Sequence, residues 1–267
     1  MTSSRGDGWQ PDQYARFKAE REQPFYDLLD LVEPTPGGRV VDLGCGTGAL
    51  TRVLHERTQA AETIGVDRSE AMLEQSAQHA GRGVRFERGD ITEFSGLDGS
   101  GLDLVFANAS IQWVADHGSL FPRLAATLKP GGQLAVQMPA NEDHPSHAVA
   151  REVAQVSPHS EALGGFVYRH SIESAEWYAE QFARIGFAEQ HVRMQVYLHR
   201  LPGPEDVIEW VKGSLLTGYR NRMSAEDYEA FLADYRERLL SVLADERPFL
   251  YPFKRILLWG RMGSSAR

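Results

Sequence analysis

The sequence contains a single cysteine, Cys45, and no apolar run long enough to cross a membrane. One cysteine cannot form an internal disulfide or supply a thiolate cluster, and no histidines and carboxylates stand at a convincing metal-ligand spacing. The amino terminus lacks the apolar core of a signal peptide, and a spanning helix needs about 18 apolar residues in a row. These absences predict a soluble, cytoplasmic protein with no metal and no membrane partner.

Basic residues are also scarce, with 28 Lys and Arg against 37 Asp and Glu and a formal net charge of -9. Proteins that follow the phosphates of a nucleic acid usually carry a basic stripe, and this sequence shows none. A small-molecule partner is therefore favoured over a nucleic acid. At 267 residues and 42% apolar content, the chain can bury one large core.

Strand-like and helix-like apolar patterns alternate through the first half of the chain. The predicted strands are RVVDLGC, TIGVD, VRFERGD, LDLVFAN and QLAVQMP, the last preceded by a PGG turn. Strands joined by helices of this length favour right-handed crossovers and a mostly parallel, doubly wound α/β sheet of the Rossmann-like type. AEQHVRMQVYLHRL and the closing FKRILLWGRM read as further strands.

Other segments interrupt this alternation. One amino-terminal helix should stop before Pro24, because proline breaks helix interiors, and a second should follow it. Residues 140–170 and 202–247 are expected to form a helical cap over the carboxyl edge of the sheet, where ligands bind in open parallel sheets. The predicted division is 1–36 for helices that close over a cofactor, 37–140 for a cofactor-binding core, 141–248 for the remaining core elements and the cap, and 249–267 for the final strand and a short tail.

The sharpest motif, VVDLGCGTG, ends the first predicted strand. Gly44, Gly46 and Gly48 allow unusual backbone dihedrals and a close approach of a ligand that any Cβ would obstruct. Gly44, Gly46 and Ala49 also satisfy the looser fingerprint of dinucleotide binding. Asp42 argues against a dinucleotide, because a carboxylate there would repel a pyrophosphate but favour a ligand with ammonium and sulfonium charges. The implied ligand is S-adenosylmethionine.

Two more aspartates end predicted strands. Asp67 stands about 20 residues beyond the glycine turn, a place from which a carboxylate can accept both ribose hydroxyls. Asp90, with the backbone of Ile91, could accept the adenine amino group. Strand-end aspartates are also common turn formers, but three in succession favour the cofactor site.

Taken together, VVDLGCGTG, GVD, GDI and LKPGGQLAV resemble the class I S-adenosylmethionine-dependent methyltransferases. Longer stretches are similar to the trans-aconitate methyltransferases within that class: PDQYARFKAEREQPFYDLL, FANASIQWVADHGSLFPRL, LAVQMPANEDHPSHAVAREVA and YPFKR. The resemblance implies a seven-stranded sheet with an antiparallel last strand. It also implies an O-methyltransferase that esterifies a carboxylate of a small polycarboxylic acid such as trans-aconitate and releases S-adenosylhomocysteine.

The stretch FANASIQWVADH then becomes the candidate methyl-acceptor region. Asn108 is expected at the carboxyl end of the fourth strand, facing the methyl donor as a cofactor-binding residue. Methyltransferases of nucleobase amines typically follow such a residue with two prolines and an aromatic, whereas Ala109, Ser110 and Ile111 follow here, which disfavours a base. Trp113 offers an indole donor suited to a substrate oxygen, with a core aromatic packed under the cap as the alternative.

Arg21 is the best candidate to receive a polyanion, because guanidinium binds carboxylate bidentately. Its alternative role is a surface arginine paired with acidic neighbours. Tyr14 shares its helix face and would close over the cofactor. Tyr197 and His199 alternate on one strand face, and the resemblance makes them, with Arg255, substrate-pocket candidates.

No general base is predicted, because a carboxylate is already ionised at neutral pH. Gln112 is assigned to cap or backbone contacts and His117 to the start of a helix. Two rival hypotheses remain: an O- or N-methyltransferase of another small molecule, whose substrates often need a base such as His117 or His199, and a non-enzymatic module that binds S-adenosylmethionine or NAD.

Overall fold

The computed structural model describes residues 18–96, 101–168 and 171–264, with side chains from residue 22 onward. Seven strands form one sheet in the order β3-β2-β1-β4-β5-β7-β6. Their bounds are β1 Arg39–Leu43, β2 Glu62–Asp67, β3 Val84–Arg88, β4 Leu102–Asn108, β5 Leu128–Pro139, β6 Phe187–Leu201 and β7 Phe249–Met262. Strands β1 to β5 pair in parallel and β7 is antiparallel to β5, which confirms the predicted fold class.

Helices connect and flank these strands. The described α-helices are α1 Lys18–Leu29, α2 Ala49–Thr58, α3 Glu70–Ser76, α4 His117–Ala126, α5 Pro145–Ala154, α6 His159–Ala162, α7 Ala175–Ile185, α8 Glu205–Lys212, α9 Leu215–Arg220 and α10 Ala225–Val242. Short 3-10 turns cover Ala77–His79 and Ile111–Trp113.

The central strands are apolar on both faces. Val40 and Phe106 belong to one buried cluster, whereas Val41 and Val105 belong to another. Successive strand residues point to opposite faces, so a strand covered by helices on both sides needs a continuous apolar run. The strand order reverses between β1 and β4, and the ends of these two strands therefore mark the switch point of the sheet.

Two expectations about local structure are wrong. Helix α1 continues through Pro24, because Phe25 and Leu28 beyond it are buried and their packing outweighs one missing helical hydrogen bond. The predicted PGG turn lies inside β5, which starts at Leu128. Gly131 takes a left-handed φ of 78°, and the register with β4 shifts nearby, so the strand accommodates these residues as an irregularity.

The described residues cluster into two compact units. The sheet unit comprises 22–96, 101–140, 171–195 and 254–264; the helical unit comprises 18–21, 141–168 and 196–253. The helical unit has its own apolar core, which includes Trp210, Tyr219 and Phe231. Strands β6 and β7 each contribute residues to both units. The four-part division of the chain stays a prediction. Within the described ranges, no helix combines the length and apolarity that a bilayer span requires.

Candidate functional site

The glycine turn follows β1 and has left-handed φ values at Gly44, Gly46 and Gly48. A Cβ on Gly44 would lie 2.3 Å from the Cβ of Ser110, and one on Gly48 would lie 2.5 Å from the ring of Phe86. A Cβ on Gly46 would meet nothing within 4 Å. Packing therefore requires the outer two glycines, while the middle one borders open space where a ligand can approach the backbone.

Asp67, at the end of β2, is joined to this turn. Its Oδ2 accepts a hydrogen bond from the Gly46 backbone N–H at 2.9 Å, and its Oδ1 accepts from Ser69 N–H at 2.9 Å. Each carboxylate oxygen has a further lone pair that a ribose hydroxyl can use. The structure thus brings together two residues that the sequence predicted for one cofactor.

Asp42 lies inside β1 and is 4% exposed. Burial raises the pKa of its carboxyl to about 7; the Thr51 hydroxyl, which donates to Asp42 Oδ2 at 2.6 Å, opposes this shift, and the charge of Asp67 adds to it. A cation bound nearby would favour the ionised form. Two acidic side chains beside one turn therefore fit a ligand with positive charge better than a pyrophosphate.

Asp90 lies two residues beyond the end of β3. Its Oδ1 accepts from both the backbone N–H and the hydroxyl of Thr92, each at 2.7 Å, and these bonds lower the pKa of the carboxyl. This is a local turn of the kind that aspartates commonly form. Ile91 packs half-buried against the sheet core. Their role at an adenine ring stays a prediction.

The chain turns sharply at the end of β4. Ala109 takes a left-handed φ of 52°, which is uncommon for a residue with a side chain. Ser110 then donates from its buried hydroxyl to the Leu43 carbonyl at 2.6 Å. This bond ties the segment after β4 to the end of β1, and it explains why Gly44 has no room for a Cβ.

Asn108 is linked to two other polar side chains of the sheet. Its Oδ1 accepts from Gln137 Nε2 at 3.0 Å, and Gln137 Oε1 accepts from Arg255 Nη1 at 2.9 Å. The sequence predicted Asn108 and Arg255 but missed Gln137. The available signal was a glutamine in the apolar run QLAVQMP, where a buried amide needs partners.

Trp113 and Gln112 follow in a 3-10 turn. The side chain of Trp113 is 50% exposed, so the alternative of a core aromatic does not describe it. Gln112 donates from Nε2 to the Ala109 carbonyl at 2.7 Å, in line with its expected backbone contact. Its Oε1 is buried, and no residue of the described ranges donates to it.

His117 is not placed to act as a base. Nε2 faces the Ile111 carbonyl at 3.0 Å and must donate to it, so Nδ1 accepts from the Tyr178 hydroxyl at 2.6 Å. Burial lowers the pKa of the imidazole, which keeps it neutral. His117 is the first residue of α4, in accordance with its expected place at a helix start.

Two further candidates, Tyr197 and His199, belong to the helical unit. Tyr197 and His199 are buried on the same face of β6, as their alternation predicted, and His199 stacks on Trp210 at 4.3 Å between ring centroids. Tyr14 and the side chain of Arg21 lie outside the described residues. Across the described part of the chain, no group of three or more His, Cys, Asp or Glu side chains could hold a metal ion.

Comparisons with known proteins agree with this geometry. A family model described as a methyltransferase domain matches residues 40–132. The trans-aconitate 2-methyltransferase of Deinococcus radiodurans is 40% identical over 255 residues, which cover 93% of this chain and 96% of that protein. The enzyme of the same name from Mycobacterium tuberculosis is 34% identical over 267 residues, covering 97% and 98%.

Solved structures show the same fold at lower identity. The YcgJ protein of Bacillus subtilis has a TM-score of 0.59 at 18% identity, over 91% of this chain and all of that chain. Phosphoethanolamine N-methyltransferase 2 of Haemonchus contortus, crystallised with S-adenosylmethionine, has a TM-score of 0.54 at 19% identity, over 91% and 53%.

The full-length relatives and the family model agree on one class, the S-adenosylmethionine-dependent methyltransferases, and S-adenosylmethionine is the cofactor of this protein. Given the similarity over nearly the full length of both chains, the protein belongs to the trans-aconitate 2-methyltransferase family. The predicted family, fold and cofactor are therefore confirmed.

Proposed function

We propose that the protein transfers a methyl group to a carboxylate oxygen of trans-aconitate or a closely related small polycarboxylic acid. The observation that carries this proposal is the 40% identity to a trans-aconitate 2-methyltransferase over 96% of that protein. The protein is further proposed to be cytoplasmic and to act without a metal, nucleic-acid or membrane partner.

Residues of the sheet unit would hold the cofactor. When bound, S-adenosylmethionine supplies a methyl group made electrophilic by the sulfonium. Gly46 leaves room at the turn, Asp67 offers lone pairs to ribose hydroxyls, and Asp42 favours positive charge. Asp90 and Ile91 are proposed at the adenine ring. Tyr14 is proposed to close over the cofactor.

The proposed acceptor residues supply alignment and charge, not a base. Trp113, whose side chain is 50% exposed, is proposed to hold the reacting carboxylate, and Arg21, Tyr197 and His199 are proposed to bind the other carboxylates. Fixing two reactants in alignment can remove roughly 7 to 11 kcal/mol of a barrier, enough to be the main effect. Because both nitrogens of His117 are engaged, the rival hypothesis of a base at that residue loses support.

The test is a methyl-transfer assay on the purified full chain. We expect trans-aconitate and S-adenosylmethionine to give S-adenosylhomocysteine and a monomethyl ester, identified by mass spectrometry. The acceptor panel should include citrate, cis-aconitate and tricarballylate, together with a catechol and an amine. Methylation of the catechol or the amine, with none of the acids modified, would refute the proposal.

A further inference from the structure

Three polar side chains form a relay across three neighbouring strands. Arg255 on β7 donates from Nη1 to Oε1 of Gln137 on β5, and Gln137 donates from Nε2 to Oδ1 of Asn108 at the end of β4. Arg255 is 6% exposed and Gln137 1%, so bulk water hardly competes for these bonds. Asn108 and Gln137 are register partners in the parallel pair, which holds their side chains side by side.

The chemistry of arginine gives this relay one direction. A guanidinium has five N–H donors and no acceptor, so the Gln137 atom that faces it must be the carbonyl oxygen. The amide nitrogen of Gln137 then faces Asn108, and the Asn108 atom in contact with it must be the oxygen. Turning either amide around would set two donors against each other at a buried position.

The direction of these hydrogen bonds determines which atom of Asn108 faces a ligand at the end of β4. Because Gln137 fixes Oδ1 on its own side, the Nδ2 amino group is the hydrogen-bond donor that Asn108 offers to a ligand, and no described residue accepts a hydrogen bond from it. Asn108 is half-buried and ends the strand next to β1, at the switch point of the sheet. Ligands bind at this place in open parallel sheets.

We propose that Arg255 and Gln137 are positioning residues that hold Asn108 as a hydrogen-bond donor to the substrate carboxylate. This inference rests on the proposed function and adds the residue that selects an oxygen anion. A donor at this place attracts a carboxylate, whereas a carbonyl oxygen would repel it and would suit an amine. Asn108 was assigned to the cofactor from the sequence, and Arg255 to direct substrate binding; the relay gives both residues a different task.

Gln137→Glu reverses the relay. The introduced carboxylate only accepts, so Asn108 must turn Nδ2 toward it and present its own carbonyl to the substrate. We expect the KM for trans-aconitate to rise about 100-fold, the effect of losing a hydrogen bond to a charged group. The kcat should change far less, because this bond already exists in the ground state. The Kd for S-adenosylhomocysteine, measured by calorimetry, should stay within about threefold of the wild-type value, since no cofactor contact is removed.

Matched variants distinguish the effect of the hydrogen-bond direction from the effects of an introduced charge and of a lost buried amide. Gln137→Met adds no charge and leaves Asn108 without a fixed partner, so KM should rise about tenfold. Gln133→Met removes another buried glutamine of β5, whose Oε1 accepts from Trp259 Nε1, and should leave KM within about twofold. Arg255→Lys keeps a donor facing Gln137 and should retain a lower KM than Arg255→Met.

Neutron diffraction of deuterated crystals with S-adenosylhomocysteine shows the orientation of the amide groups and does not depend on an activity assay. In the wild-type protein, the two deuterons of Asn108 Nδ2 should point away from Gln137, and in Gln137→Glu toward the introduced side chain. Opposite deuteron positions in the wild type would overturn the proposal, as would a Gln137→Glu variant whose KM matches that of Gln133→Met. A wild-type protein that methylates none of the acids would instead refute the proposed function, and the deuteron positions would still decide the relay.

Discussion

At the scale of single residues, the two aspartates beside the glycine turn have different electrostatic environments. Asp42 is almost fully buried, and burial raises the pKa of its carboxyl to about 7. Asp67 is half-buried and accepts two backbone N–H groups. A positively charged ligand beside the turn would favour ionisation of Asp42, so cofactor binding near neutral pH should release protons and strengthen as the pH rises.

Asp42→Asn should stabilise the protein without cofactor, and increasingly so as the pH rises from about 4 to 8. Because the folded-state pKa of Asp42 is raised, its contribution to stability is present at acid pH and is lost as the pH rises through about 7. A shift of three pKa units corresponds to at most ~4 kcal/mol in the free energy of unfolding. Urea unfolding at several pH values measures the difference.

Thr51→Val is the matched variant for this measurement. It removes the hydroxyl that donates to Asp42, so the pKa of Asp42 should rise further and the loss of stability should extend to higher pH. The same change in an Asp42→Asn background should leave no such pH dependence. A wild-type protein and an Asp42→Asn variant with parallel pH profiles would contradict this interpretation.

Asp67→Asn should weaken binding of S-adenosylhomocysteine by at least about tenfold, or ~1.4 kcal/mol. An amide has one acceptor oxygen, whereas Asp67 accepts from both Gly46 and Ser69 and must still serve ribose hydroxyls. Isothermal titration calorimetry gives the Kd. The control is Asp116→Asn, because Asp116 also accepts a backbone N–H, from Ser119, and is a helix cap with no proposed cofactor contact. Equal Kd values for the two variants would remove Asp67 from the site.

At the scale of secondary-structure elements, the sequence predicts the bounds of an element correctly where the local pattern and the tertiary packing agree. The run LDLVFAN predicts β4 to the residue, because a doubly covered strand needs continuous apolar side chains. The pattern failed at Pro24 and at Gly131, where local chemistry favours a break but packing and strand pairing keep the element intact. Local sequence patterns do not include the free energy of a contact that forms only in the folded protein.

In the candidate site, too, some residues were predictable from local motifs and others were not. Gly46 and Asp67 were predictable, because each belongs to a short motif at a strand end. The relay was not, since Gln137 lies 29 residues from Asn108 and 118 residues from Arg255. Only the register of three strands brings these side chains together, and a single sequence does not contain that register.

A paired glycine substitution tests the construction of the turn. Gly44→Ala and Gly46→Ala share the strain of a left-handed φ, about 1 kcal/mol each, but only the first places a Cβ against Ser110. Gly44→Ala should therefore lower the thermal midpoint by several degrees more than Gly46→Ala, measured by calorimetry without ligand. Gly46→Ala should in turn weaken binding of S-adenosylhomocysteine. A larger loss of stability in Gly46→Ala would contradict the assigned roles.

At the scale of the whole molecule, the chain builds two apolar cores. The described residues proposed for the cofactor, including Asp42, Gly46 and Asp67, all belong to the sheet unit. The helical unit has a separate core and contributes Tyr197 and His199 as candidates for the substrate. The described cofactor candidates are thus confined to the sheet unit, whereas the substrate candidates are divided between the units, because Asn108 and Trp113 belong to the sheet unit.

Hydrogen exchange with and without S-adenosylhomocysteine tests this division. A ligand that binds only the folded state at about 100 times its Kd adds ~2.7 kcal/mol to the free energy of opening its site. We expect slower exchange in the peptides that carry β1, the glycine turn and β2, while peptides from α10, at Ala225–Val242, keep their rate because no residue there is proposed to touch the cofactor. At the same ligand concentration, Asp67→Asn should reduce the effect at the turn by about half or more, since its Kd is expected to be at least about tenfold higher. Equal protection of α10 in the wild-type protein would show that cofactor binding stabilises both units together, and the separation argued from the two cores would then be wrong.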